Sequence, residues 1–395
     1  MMMNNNEKEI TLIEEMENTA AQEAADEESA KAKKREWLGL PIFSWVFFGI
    51  AVFALIVMLT YIISEDFANF YNRYPAAFFR GVFAAVSGIL PCSAAEAMII
   101  MIPLIVTVVI VYANKHFTSS WREVGKFIAI IISVASLFFS SFALNFGAGY
   151  HTSSVDNLLE LDREDVSAEQ LRRTAEILVE EINKYTDSLT ANAEGSTVMP
   201  YGYEKLSRKL VEAYDKVCDE YSFVSRFPSR VKPVMLSEPW TYTHIAGVYT
   251  YFTGEANINV NFPDYTLPYT AAHEMAHQRG IARENEANFV AFLVCIASDD
   301  EYIRYSGYLN LYEYVSSALY SADKEAYAEV RSGLDPKARV EMSAYSKFFD
   351  KYRENIAADV TESVNNTYLT IQGTPGTKSY GMVVDLAVAY ILGEE

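Results

Sequence analysis

The chain has 395 residues, of which 51% are hydrophobic and 14% aromatic, and its 32 basic and 52 acidic side chains leave a net charge of −20. So large an acidic excess argues against nucleic acid as a partner. Three cysteines, Cys92, Cys218 and Cys295, are too few for a disulfide framework, although one bridge between Cys218 and Cys295 is possible.

Residues 1–36 hold ten acids and five bases in Asn-, Ala- and Glu-rich runs without an aromatic residue. Such a segment cannot bury enough apolar surface to fold alone and is expected to be a disordered tail. It ends in the basic cluster Lys31–Arg35, just ahead of an apolar span. A long acidic stretch before that span is not a secretory signal, so the cluster is expected to orient a membrane segment.

Residues 37–147 are expected to form a membrane domain with three transmembrane helices. Phe43–Ile63 runs 21 residues without a charge, enough to cross a hydrocarbon core of about 30 Å. Ala94–Tyr112 and Phe127–Phe146 are the second and third spans, joined by a short loop with Lys115, Arg122 and Lys126. Between the first two spans, Phe67–Cys92 mixes aromatic residues with Arg73, Pro75, Arg80 and Pro91 and is expected to lie along the membrane interface. Glu96, near one end of the second span and with no other membrane acid beside it, is expected to be interfacial. Both basic clusters fall on one side of these spans, which makes that side the cytoplasm and places residues 148–395 outside it. That region has 22 basic and 38 acidic side chains, a net of −16, and suits a cationic or neutral ligand.

Its size, about 250 residues, is enough for one α+β domain with its own core. Leu171, Ala175, Leu178 and Ile182 recur at helical spacing in Ser167–Thr190, as do Leu206, Leu210, Ala213, Tyr214 and Val217 in Tyr203–Phe223. The pattern changes after Arg230. Val231–Leu236 and Thr243–Asn261 are rich in β-branched and aromatic residues and predict a small antiparallel sheet. In its last strand Asn257, Asn259 and Asn261 alternate with Ile258 and Val260, so one buried face and one face showing amides are expected. After Asn288 helical spacing returns in Glu301–Leu319, Lys324–Ser332, Lys337–Glu354 and Met382–Leu392, with Tyr302, Tyr305, Tyr308, Tyr312 and Tyr314 forming a packing layer. Cys295 lies on the apolar run Phe289–Ile296, where a buried free thiol is expected.

The chemistry concentrates in Thr270–Asn288, which contains His273-Glu274-Met-Ala-His277. Histidines four apart on a helix share a face and can aim at one ion, here expected to be Zn2+, while Glu274 points into the adjacent cleft as general base. Gly280 stands where the helix must turn, and a second helix can begin near Arg283. Glu284 in its first turn is the expected third ligand. Glu286, about 200° further round the helix, is the alternative. Three protein ligands leave one position open, which marks a catalytic rather than a closed structural site. Asn288 and Glu286 are candidates for orienting the histidines, and His244 and Tyr251 for steadying an oxyanion.

The run His273–Asn288, the preceding Phe252–Asn259 and the three apolar spans together resemble a bacterial family of membrane-anchored proteins of unknown function that carry a zincin-type motif. More distantly, Glu284-x-x-Ala287-Asn288 followed by Phe289-Val-Ala-Phe292 is similar to the third-ligand helix of gluzincin metallopeptidases, which implies that Glu284 binds zinc. The link from His277 to Glu284 is shorter than most gluzincins have. By analogy with zincins, the strand Ala256–Asn261 would offer its edge to an extended substrate.

Together these readings predict a protein held in the bacterial cytoplasmic membrane by three helices, its N-terminus cytoplasmic and its zincin-like domain, mainly helical, outside. The expected activity is hydrolysis of peptide bonds in a peptide or protein substrate, by water activated at one zinc per chain with Glu274 as base. The alternatives are a non-hydrolytic envelope sensor or scaffold, and a zinc amidase acting on cell-wall material. Oligomeric state is not legible.

Overall fold

A computed structural model describes residues 22, 36–37, 39–116, 121–161, 166–353 and 355–393. The Lys31–Arg35 cluster and nearly all of the expected disordered tail lie outside the described residues.

Three helices are long and apolar enough to cross a membrane: α1 (Ile42–Ile63), α4 (Ala94–His116) and α5 (Trp121–Asn145). Most of their side chains, such as Phe53, Ile56, Ile99 and Val108, are exposed, so the protein itself does not bury these apolar faces. The second and third helices run beyond their expected ends. On α5 the extra turn holds Arg122, Glu123 and Lys126, with Lys126 paired to Glu123 at 3.1 Å, and charges are tolerated at a helix end that reaches water.

Packing divides the chain into two units, Met1–Leu55 with Pro103–Ser140, and Ile56–Ile102 with Ser141–Glu395. Within the first, the Ser133 hydroxyl donates to Ser44 at 3.0 Å, a buried contact between α1 and α5.

In the second unit, Phe67–Cys92 is mostly helical. α2 (Glu65–Tyr71), capped by Ser64, runs through a π-helical turn at Asn72–Ala76 around Pro75 into α3 (Ala77–Gly88). Phe70, Tyr74, Phe78, Val82 and Val86 repeat every fourth residue along one exposed face, while Ala68, Tyr71, Ala76, Arg80 and Ala84 face inward. Beyond α5 come α6 (Ala168–Tyr185), which opens on a Ser167–Gln170 capping box, and α7 (Tyr203–Glu220).

The sheet differs from the antiparallel expectation. Its strands β1 (Val231–Pro233), β2 (Gly247–Thr250) and β3 (Glu255–Ile258) lie in the order β1-β3-β2, with β2 antiparallel and β1 parallel to β3. The short helix Ser237–Thr241 carries the chain from β1 past β3, so the first two strands flank the third instead of pairing. The central strand is buried on both faces. Asn257 and Asn259 are 1% and 0% exposed, so the expected amide face does not reach solvent. Their side chains bond inward instead, Asn257 Nδ2 to the Val248 carbonyl at 3.3 Å and Asn259 Nδ2 to Thr241 Oγ1 at 3.1 Å.

Two helices follow at the centre of the unit, α8 (Leu267–Gln278) and α9 (Glu284–Ala297), both buried almost all round. Cys295 on α9 is a buried free thiol, and Cys218 is free as well. α10 (Glu301–Ala322), α11 (Lys324–Gly333), α12 (Pro336–Phe349), α13 (Ile356–Ile371) and α14 (Val383–Gly393) complete the fold, which is mainly helical with the small mixed sheet and, before α1, a two-residue antiparallel pairing of Glu36–Trp37 with Leu40–Pro41. Tyr305 and Tyr312 of α10 pack in the core cluster, and Tyr302 is buried as well.

Candidate metal centre

Pro268 sits in the first turn of α8, where its missing N–H costs nothing, and the helix carries His273 and His277 on one face. Their rings lie 4.6 Å apart, perpendicular to each other. The chain then reverses through Arg279, Gly280 and Ile281. Gly280 has φ +92°, a conformation that side chains with a Cβ resist, and a Cβ there would in any case lie 2.4 Å from Arg80 Nη2. Arg283 is the extended N-cap of α9, which puts Glu284 in the first turn and directs its carboxylate back onto the histidines.

Glu284 Oε2 is 3.2 Å from His273 Nε2 and 3.3 Å from His277 Nε2. Tetrahedral zinc with ligands at about 2.0–2.1 Å would need donor atoms roughly 3.3 Å apart, so this spacing fits the ion. His277 Nδ1 lies 2.7 Å from the Ile281 carbonyl. That carbonyl can only accept, so in the neutral imidazole Nδ1 carries the proton and Nε2 is the nitrogen left to bind a metal. Three donors, two imidazoles and one carboxylate, thus form a candidate metal site of a kind zinc favours.

The charges fit as well. Burial opposes ionisation of Glu284, yet the two imidazoles, by charge and hydrogen bonding, hold its carboxyl well below the usual range. Burial by itself would lower His277, but the Glu284 carboxylate overrides it and raises the imidazole to about 9. Burial raises Glu274 to about 7 against the lowering pull of His273 and His277. Glu274 lies against β2, where the Tyr249 backbone N–H donates to it and where a Cβ on Gly247 would sit 2.5 Å from Oε1. A glycine at 247 therefore lets the carboxylate lodge beside the strand. Oε2 of Glu274 is buried and has no hydrogen-bond partner among the described residues.

Of these groups, His273 and Glu274 line a cavity of about 860 Å³, large enough for several residues of a peptide. Thr243–Gly247 form one wall, and Asn288, Asn310, Glu313, Tyr314 and part of α13 form others, with no lysine or arginine among the lining residues. His244, at φ +59°, lines this cavity, though its Nε2 is engaged with the Tyr352 carbonyl at 2.7 Å. Tyr251 does not line it, and packs edge-on to Phe142 with ring centroids 5.4 Å apart. Glu286 points away from the histidines. Its carboxylate takes the Arg283 guanidinium at 2.8 Å and the Val155 N–H at 3.1 Å. Asn288 faces the cavity and is hydrogen-bonded to Tyr314.

The strand beside the site is β2. Since β3 is central, its edge is already taken on both sides, and only β1 and β2 are outer strands of this sheet. Sequence reasoning also passed over the polar stripe of α10. Asn310, Glu313, Tyr314 and Ser317 line the cavity, and their spacing of three and four along a helix full of core tyrosines is the signal that could have marked them.

A family profile described as "Protein of unknown function (DUF3810)" matches residues 71–388. No curated protein and no solved structure matches the chain.

Proposed function

The chain belongs to the DUF3810 family, and because its description assigns no activity, we propose from the site itself that the protein is a membrane-anchored zinc hydrolase that cleaves peptide bonds. The observation that carries this reading is the convergence of His273, His277 and Glu284 next to Glu274, a carboxylate that is buried, free at Oε2 and open to the same cavity. A metal site with only structural duty has no use for such a base.

His273, His277 and Glu284 would hold the zinc. When bound, that ion supplies Lewis-acid polarisation of the substrate carbonyl and lowers the pKa of water. Glu274 takes the proton of the attacking water and returns it to the leaving amine, serving first as general base and then as general acid. The cavity seats the substrate chain between β2 and α10, and the hydroxyl of Tyr314, already oriented by Asn288, steadies the developing oxyanion. With Lys31–Arg35 and the 115–126 segment on the cytoplasmic side, residues 148–395 and the site face the outside of the cytoplasmic membrane.

The test is hydrolysis of an unfolded protein by the full-length, zinc-supplemented chain in detergent, with isolated peptidoglycan as the second substrate. Glu274→Gln should lower the rate at least about a hundredfold while retaining zinc. Cleavage of peptidoglycan alone would make the protein a cell-wall amidase. Equal inertness of wild type and Glu274→Gln on both would leave a non-hydrolytic scaffold and refute the proposal.

A further inference from the structure

Arg80, on α3, is fully buried and has no carboxylate partner among the described residues. Its Nη1 donates to Asn72 Oδ1 at 2.9 Å and to the Asn145 carbonyl at 2.8 Å. Its Nη2 donates to the Asn72 carbonyl at 2.7 Å and to the Arg279 carbonyl at 3.2 Å, while its Nε–H finds no partner. Asn72 in turn donates from Nδ2 to the Gly280 carbonyl at 3.0 Å. The two consecutive carbonyls that follow the ligand helix α8 are thus gripped by one arginine and one asparagine from the segment between the first two membrane-length helices.

A buried guanidinium without a counter-ion and with one donor unsatisfied is a costly way to fill space. A methionine would occupy most of the same volume without desolvating a charge. What the arginine adds is direction, because its planar fork can hold several carbonyl oxygens at fixed angles. The π-helical turn at Asn72–Ala76, a deformation common at functional sites, lies where Asn72 meets that fork. The gripped turn is the one that serves the metal site. The carbonyl of Ile281, next after Arg279 and Gly280, receives His277 Nδ1–H at 2.7 Å. The turn also packs closely on Gly149, where an added Cβ would stand 2.5 Å from the Gly280 carbonyl.

We infer that Arg80 is a positioning residue of the metal centre: with Asn72 it fixes the Arg279–Ile281 turn, and so holds the carbonyl that aims His277 Nε2 at the shared Glu284 carboxylate. This rests on reading His273, His277 and Glu284 as metal ligands. It makes metal affinity depend on a side chain contributed from between two membrane helices, outside the zincin-like motif.

The experiment compares full-length wild type, Arg80→Met and Asn72→Ser in detergent micelles. The zinc dissociation constant is measured by competition with a chelator, the visible spectrum is recorded after cobalt substitution, and the metal-free melting temperature is followed in parallel. Arg80→Met should weaken zinc about tenfold to a hundredfold, the range typical of groups that orient a ligand, and should shift the cobalt bands. Asn72→Ser releases the Gly280 carbonyl and one acceptor of Arg80 Nη1 while leaving the Arg80 bond to the Arg279 carbonyl, so it should weaken zinc severalfold even if Arg80→Met fails to fold. Zinc affinity within twofold of wild type in the folded variants, whatever their melting temperatures, would make Arg80 merely structural and overturn the inference. A wild-type chain that binds no zinc would overturn the metal-centre reading, and the inference with it.

Discussion

Replacing each of the two glutamates of the α9 first turn by alanine separates ligand from neighbour. Glu284 touches both histidines, whereas Glu286 is tied to Arg283 and to the Val155 N–H. Metal that binds only the folded chain stabilises it by RT ln(1 + [Zn]/Kd), about 2.7 kcal/mol when zinc is at a hundred times Kd and about 4.1 at a thousand times. Glu284→Ala leaves two imidazoles, a poor site, so nearly all of this increment should vanish and the melting temperature should stop responding to zinc. Glu286→Ala leaves the buried Val155 N–H unpaired, a cost of about 1–3 kcal/mol. Arg283 keeps its bonds to the carbonyls of Tyr150 at 3.1 Å and Thr152 at 2.6 Å, so the loss should stay in that range and the response to zinc should survive. Both variants, as full-length chains in detergent, would be melted across a zinc titration and analysed for bound metal. If Glu286→Ala loses the metal and Glu284→Ala retains it, the assignment of the third ligand is wrong by two residues.

Three further outcomes follow from the same geometry. In the metal-free chain His277 holds its proton more tightly folded than unfolded, so its contribution to stability is complete below about pH 6.5 and is lost as pH rises through about 9. Zinc requires the neutral imidazole, so apparent zinc affinity should climb by up to about tenfold per pH unit across that window, and a flat profile would contradict the coupling of His277 to Glu284. The fragment 148–395 should be insoluble or unfolded where the full chain is not. Lys232 Nζ is buried against the carbonyls of Ser87 and Leu90, Glu255 accepts from the N–H groups of Ala94 and Ala95, and Glu96 accepts from those of Met235 and Leu236, so truncation strips partners from several buried polar groups. A monodisperse, cooperatively melting fragment would refute this. With Cys92 and Cys218 replaced by serine, a membrane-impermeant thiol reagent applied to intact cells should label a cysteine at Ala193, in an exposed loop, but not one at Ser119, and the reverse pattern would invert the topology.

The site was legible where one helix or one tight turn decided it. His273 and His277 need only the 3.6-residue period to share a face, and Gly280 needs only its freedom at positive φ. Helical geometry showed that Glu284 and Glu286 could not both face the histidines, while the preference for Glu284, the one that lies against them, came from motif spacing and the likeness to gluzincins. What sequence spacing could not supply was non-local pairing. Asn257 and Asn259 alternate like a half-exposed strand, yet β1 and β2 pair with both edges of β3 and other elements cover its faces, so the amides turn inward. Glu96 shows the same limit. Its place near a helix end was readable, but its two bonds to the backbone after β1 were not. Ile356, Val360 and Val364 of α13 stand four apart and trace a helical stripe, but that the stripe is exposed instead of facing the core could not be read from spacing. Arg80 carried no local signal at all, since its partners come from residues 72, 145 and 279.

The central claim is that one zinc ion sits between His273, His277 and Glu284, and X-ray absorption at the zinc edge of the full-length, zinc-loaded chain tests it most directly. The account predicts one zinc per chain, with two imidazoles and the remaining donors all oxygen at about 2.0–2.2 Å. A sulfur shell at about 2.3 Å, or zinc bound equally well after His273 and His277 are both replaced by alanine, would contradict it.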